Sequence, residues 1–108
     1  MDNIYRYRLF LKTIETGNIT RTAEAFYVSQ SAVSQQLKHL EEYFGKELFY
    51  KDKTLKLTAF GLSIKDEVEQ LVSYYDHKEN FIFNLSKNND LSLNIIAKSS
   101  FIMHLLMK

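Results

Sequence analysis

The chain has 108 residues, 45% of them hydrophobic and 14% aromatic, which is apolar material for one small core and an appendage. It has no cysteine, so disulfides, thiolate metal sites and cysteine nucleophiles are excluded, and a reducing compartment fits. The formal net charge of +1 carries no argument for a nucleic-acid ligand, although residues 1–58 hold nine Lys/Arg against seven Asp/Glu and residues 59–108 hold five against six.

The opening Met1-Asp2-Asn3-Ile4-Tyr5-Arg6 lacks the basic stretch and apolar run of a signal peptide. No apolar run approaches the ~18 residues of a membrane span. The sequence therefore reads as soluble and cytoplasmic, with no membrane partner. Proline is absent, and Gly17, Gly45 and Gly61 each fall where one apolar period stops and another begins, which reads as helix punctuation.

In chain order, Tyr7, Phe10, Leu11 and Ile14 follow the i, i+3, i+4, i+7 spacing of an amphipathic helix, over about residues 4 to 16. Asn18 and Thr20 can both cap the short helix that follows, with Ile19, Ala23 and Phe26 inward and an end near Tyr27. Ser29 is a good N-cap for a third helix, whose inward residues Val33, Leu37, Leu40 and Phe44 stand opposite Gln30, Ser31, Ser34, Gln35 and Lys38. From Glu47 to Thr58 two short apolar runs flank the polar tip Asp52-Lys53-Thr54, the pattern of a small β-hairpin.

Thr58 can cap a long helix of about 28 residues in which Ile64, Val68, Leu71, Tyr75, Ile82 and Leu85 keep heptad spacing, interrupted at Lys78. A sixty-residue domain cannot bury so long a seam, so the reading is that a second copy covers it. Asn88-Asn89-Asp90 stops this helix; Leu91, Leu93 and Ile95 then alternate as in a strand, and Phe101 to Met107 reads as the start of a helix.

The informative unit runs from Asn18 to Phe44. Small Ala23 lets two helices cross closely, which projects the second of them from the body, as entry into a major groove ~12 Å wide requires. The projected face is short, polar and uncharged: Gln30, Ser31, Ser34 and Gln35. Glutamine can bond bidentately to adenine, serine can donate or accept, and the helix start offers free N–H groups to phosphate. A polar helical face alone is more often plain solvated surface. The order of elements reverses that weighting: a hairpin with Lys51, Lys53 and Lys56 near its tip follows, suited to gripping phosphates, and then a dimerising helix.

The run from Phe10 to Glu41, continued by Gly45, Leu48-Phe49 and Leu57-Thr58-Ala59-Phe60-Gly61, resembles the N-terminal signature of the LysR-type transcriptional regulators, densely over residues 4 to 61. The resemblance implies a mainly α fold: a winged helix-turn-helix of three helices plus a small β-hairpin wing over residues 1–58, then a linker helix over residues 59–89 that packs antiparallel in a homodimer. Residues 90–108 would be the truncated start of an effector-binding domain, so the small-molecule site itself is absent from this stretch.

Carried over by position, Gln30, Ser31, Ser34 and Gln35 become the base-reading set; Asn18, Thr20, Arg21 and Lys38 become backbone contacts, and Lys51 and Lys53 wing contacts. Ile64, Val68, Leu71, Tyr75, Ile82 and Leu85 become the dimer interface. The implied partner is double-stranded DNA carrying an inverted repeat. The sequence departs from the family pattern in three respects: Ser31 stands where a proline is usual after the glutamine, Lys51 stands where an arginine is usual after Leu-Phe-x, and a second wing arginine is lost with a hairpin about one residue shorter.

No cofactor, metal or catalytic residue is expected. His39, His77 and His104 lie on separate elements without carboxylate spacing that suggests a metal or a triad. A reading of another class is a truncated dimerisation module that sequesters a full-length regulator without binding DNA.

Overall fold

The computed structural model describes residues 2–52 and 54–87. Four helices form among the described residues, and the local chemistry of the sequence accounts for their ends. α1 (Asn3–Thr16) starts on Asp2, whose carboxylate accepts the Tyr5 N–H at 3.2 Å, and stops on Gly17 in the left-handed region at φ 65°. α2 (Ile19–Phe26) starts on Asn18, whose side-chain oxygen accepts the Arg21 N–H at 3.1 Å; Thr20 sits inside its first turn. α3 (Gln30–Phe44) starts on Ser29, whose hydroxyl accepts the Ala32 N–H at 3.1 Å, and stops on Gly45 at φ 68°. No helix among the described residues is long and apolar enough to cross a membrane.

The core is built where the three helices meet. Leu9 and Phe10 from α1, Ala23 from α2, and Val33, Leu37 and Leu40 from α3 are buried together with Leu48 and Phe49. Each large apolar side chain removed from water contributes about 1.5–3 kcal/mol. Aromatic pairs join the elements: Tyr5 meets Phe26 edge-on at 5.8 Å, Phe10 meets Phe49 at 5.7 Å, and Phe44 stacks on Tyr7 at 6.5 Å. The buried Thr13 and Thr22 hydroxyls donate to the carbonyls of Leu9 (2.7 Å) and Asn18 (3.1 Å), so neither is left without a partner.

The segment after Gly45 makes a smaller wing than the two apolar runs predict. One antiparallel bridge, Phe49 opposite Leu57, is its only pairing among the described residues. It is flanked by the Tyr50 N–H on the Lys56 carbonyl at 2.8 Å and the Thr58 N–H on the Leu48 carbonyl at 2.9 Å. Pairing stops there because the chain turns at Leu55, which takes φ 51°, and because Asp52 uses its carboxylate to accept the Thr54 N–H at 2.9 Å, an Asx-type turn.

α4 (Ala59–Lys87) has 29 residues, roughly 43 Å of helix. Thr58 caps it: its hydroxyl accepts the Gly61 N–H at 3.0 Å and donates to the Glu47 carbonyl at 2.6 Å. Gly61 is not punctuation, since it lies in the first turn of α4. A side chain there would collide with the Leu48 carbonyl oxygen and come within 2.9 Å of the Leu57 side chain. Glycine is required because the helix start runs directly against the root of the wing.

The chain divides into compact units between Ser73 and Tyr74, fifteen residues beyond the start of the linker read from the sequence. The reason is that Val68 and Val72 pack into the core of the first unit, with Phe60 and Ile64 against it. In the second unit the described residues are helical and expose Tyr74, Tyr75, Phe81, Ile82 and Phe83. There the Lys78 ammonium lies 5.7 Å from the Tyr74 ring centre and that of Lys87 lies 4.7 Å from Phe83. The stop at Asn88-Asn89-Asp90, the strand over Leu91–Ile95 and the helix over Phe101–Met107 fall outside the described residues.

Candidate nucleic-acid interface

α3 is anchored by its apolar face. Val33, Leu37 and Leu40 are buried, and Arg6 of α1 donates through Nε to the Gln36 side-chain oxygen at 2.9 Å, which fixes the rotation of α3 about its axis. The opposite face is thereby turned outward at the N-terminal end. Gln30, Ser31, Ser34 and Gln35 are all exposed. Ser31 shares a hydrogen bond of 3.1 Å with the capping hydroxyl of Ser29; the side chains of Gln30, Ser34 and Gln35 make no hydrogen bond among the described residues, so their donors and acceptors are available.

Around this face stand Asn18, Thr20, Arg21 and Lys38, also exposed. Asn18 spends its side-chain oxygen on capping α2 and keeps only its amide N–H groups for a ligand. Arg21 and Lys38 make no ion pair among the described residues, so each presents a full positive charge.

The wing differs from the sequence reading. Lys51 is not a free cation: its ammonium lies 2.8 Å from Glu41 Oε1, and the hydrogen bond to Glu41 raises its pKa. Glu41 Oε2 accepts the Leu48 N–H at 2.7 Å, so one carboxylate ties α3 to the wing's root. Sequence reading gave Glu41 no role, because its partners lie seven and ten residues away across the turn at Gly45. Lys53 falls outside the described residues. Between α3 and the wing runs a cleft of about 350 Å³ lined by Ser34, Lys38, Phe49, Lys51 and Leu55.

Of the residues read as a dimer seam, Val68 is only 5% exposed and Ile64 packs against the same core, so both are largely used within one chain. Leu71, Tyr75 and Ile82 remain exposed at 48%, 44% and 58%, and Leu85 is half-buried. A heptad count cannot separate these groups, because the buried and the exposed apolar positions share one spacing along the sequence. Among the described residues no group of three His, Cys, Asp or Glu could hold a metal ion.

Residues 4–62, which hold α1, α2, α3, the wing and the first turn of α4, match the sequence model of the bacterial regulatory helix-turn-helix proteins of the lysR family. The chain belongs to this family. The HTH-type transcriptional regulator HdfR of Escherichia coli is 31% identical over 91 residues, which is 83% of this chain and 33% of that protein. The chain thus spans about a third of the length of the curated relatives it matches. Among solved structures, DarR of Vibrio fischeri, in complex with DNA, superposes with a TM-score of 0.72 at 27% identity, covering 78% of this chain and 29% of DarR. The DNA-binding domain of BenM, in a complex with its catB site 1, superposes with a TM-score of 0.73 over 83% of this chain and 100% of that domain. At 22% identity the BenM likeness is one of fold, and it establishes the winged helix-turn-helix architecture of this LysR-family chain despite the reduced wing.

Proposed function

We propose that this LysR-family chain binds double-stranded DNA in a sequence-specific manner as a homodimer and thereby regulates transcription. The observation that carries the proposal is the orientation of α3: its apolar face is buried while Gln30, Ser31, Ser34 and Gln35 face solvent at the end that would enter a major groove. Gln30 and Gln35 are the adenine-reading candidates, and Ser31 and Ser34 adapt to either donor or acceptor edges. Arg21 and Lys38 meet phosphates as unpaired cations, with Asn18 and Thr20 as neutral contacts beside them. Lys51 contributes less than Lys38, because Glu41 already offsets its charge; Lys53 is the second wing candidate.

Leu71, Tyr75, Ile82 and Leu85 supply the surface on which two copies pair, and Ile64 and Val68 support it from within each subunit. Two recognition helices then enter successive major grooves of an inverted repeat, ~34 Å apart or a multiple of that spacing. The cytoplasm is where such a protein meets its DNA.

The test is selection of bound duplexes from a random pool, followed by titration of the selected duplex and a scrambled one. Gln30→Ala is expected to cost about 1–3 kcal/mol on the selected duplex and little on the scrambled one. Lys38→Ala is expected to weaken both alike and reduce the salt slope by roughly one. Failure of the wild-type chain to enrich any sequence refutes base reading. A dimer that retards no duplex would instead be a sequestering module.

A further inference from the structure

α1, α2 and α3 each end on a residue in the left-handed region: Gly17 at φ 65°, Tyr27 at φ 56° and Gly45 at φ 68°. The ends of α2 and α3 have the same hydrogen-bond pattern. The Tyr27 N–H returns to the Glu24 carbonyl at 3.2 Å and the Val28 N–H to Ala23 at 3.0 Å, just as Gly45 returns to Glu42 at 3.3 Å and Lys46 to Glu41 at 3.2 Å. This Schellman closure favours glycine, then asparagine, because a Cβ crowds the left-handed backbone. Two of the three ends follow that preference and the third carries an aromatic side chain.

Packing does not account for Tyr27. Its side chain is 95% exposed and has no hydrogen bond or ring contact among the described residues. Conformational preference and burial therefore both oppose a tyrosine at this position. Its location is the remaining distinction: it is the helix-turn-helix turn itself, two residues before the cap of α3 and three before Gln30. Three residues span at most ~10 Å, so Tyr27 stands beside the start of α3, where the wall of a ~12 Å groove would pass.

We propose that Tyr27 is a DNA-backbone contact: its phenol O–H donates to a phosphate oxygen at the edge of the groove that α3 enters. The inference rests on the DNA-binding reading above and names a residue outside its contact set. As a neutral donor, Tyr27 adds affinity without releasing a further counterion and without reading a base.

The experiment compares the whole chain with Tyr27→Phe and Tyr27→Asn, using a duplex enriched from a random pool by the wild type and a scrambled duplex of equal length, across a salt series. Tyr27→Phe is expected to lose about tenfold on both duplexes, the loss of one hydrogen bond to a charged group, with the salt slope unchanged. Tyr27→Asn is expected to lose at least as much while its thermal midpoint equals or exceeds that of the wild type, since asparagine tolerates the left-handed turn. Tyr27→Phe binding both duplexes like the wild type overturns the proposal, as does a loss confined to the enriched duplex. If the wild type enriches no duplex, the DNA-binding reading fails; if it does and Tyr27→Phe matches it, only the role of Tyr27 fails.

Discussion

Glu41 holds Leu48 and Lys51 with one carboxylate, its Oε2 accepting the Leu48 N–H at 2.7 Å and its Oε1 lying 2.8 Å from the Lys51 ammonium. The two halves of this arrangement are unequal. The Leu48 N–H is partly buried and has nothing to replace the carboxylate, whereas Lys51 is 64% exposed and water can solvate its charge. Glu41→Ala is therefore expected to destabilise the fold by about 1–3 kcal/mol, and Lys51→Ala by about 0–1 kcal/mol. Urea unfolding of the two variants checks this; equal losses would mean that the ion pair, not the backbone hydrogen bond, carries the contact.

Gly61 gives a second expectation, opposite to the one helix propensity alone suggests. In an exposed helix interior, glycine to alanine gains about 1 kcal/mol. Here the added methyl meets the Leu48 carbonyl oxygen and the Leu57 side chain. The carbonyl cannot retreat, because it already accepts the Thr58 N–H at 2.9 Å. Gly61→Ala is expected to lose about 1–3 kcal/mol through overpacking. A variant as stable as the wild type in thermal unfolding would show that the contact between α4 and the wing is loose.

These two residues mark the limit of what the sequence made legible. The caps Asn18, Ser29 and Thr58 and the inward set Val33, Leu37 and Leu40 act within one or two helical turns, so spacing alone reveals them, and with them the outward face of α3. Gly61, Glu41 and Tyr27 take their meaning from partners distant in sequence or from a backbone angle, neither of which periodicity encodes. The wing fell between these cases: its two apolar runs around a polar tip were visible, but the local hydrogen bonds of Asp52 that cut its pairing short were not read from the sequence.

A third expectation concerns alkaline pH. Burial, with a smaller contribution from the neighbouring Tyr43, raises the Tyr7 phenol above 10.0, and the hydrogen bond to Glu41 raises Lys51 above 10.5. In both cases the folded state holds its proton more tightly than the unfolded chain. Their contributions are complete below the unfolded values and are lost as the pH climbs through the folded ones. Asp52 works in the other direction: hydrogen bonds from Thr54 lower it below 3.8, so its contribution is present above that value and disappears on acidification. Urea midpoints are expected to fall as the pH rises above about 10, and to fall less in a Tyr7→Phe, Lys51→Ala double variant. An unchanged slope in the double variant would assign the alkaline loss to other groups.

The last expectation separates the buried positions of α4 from the exposed ones on which the proposed pairing rests. Val68 is buried in its own subunit, so Val68→Ala deletes core contacts and is expected to cost about 2 kcal/mol of unfolding free energy at any protein concentration. Ile82 is 58% exposed, so in a single chain Ile82→Asp removes little that is buried and should leave the fold of residues 2–73 nearly untouched. In a dimer the same aspartate would face an apolar partner surface, and a desolvated, unpaired carboxylate there costs several kcal/mol. Sedimentation should then show Ile82→Asp as a monomer with near-native helix content and Val68→Ala as a less stable dimer. If Ile82→Asp remained dimeric at micromolar concentration, pairing would run through another surface.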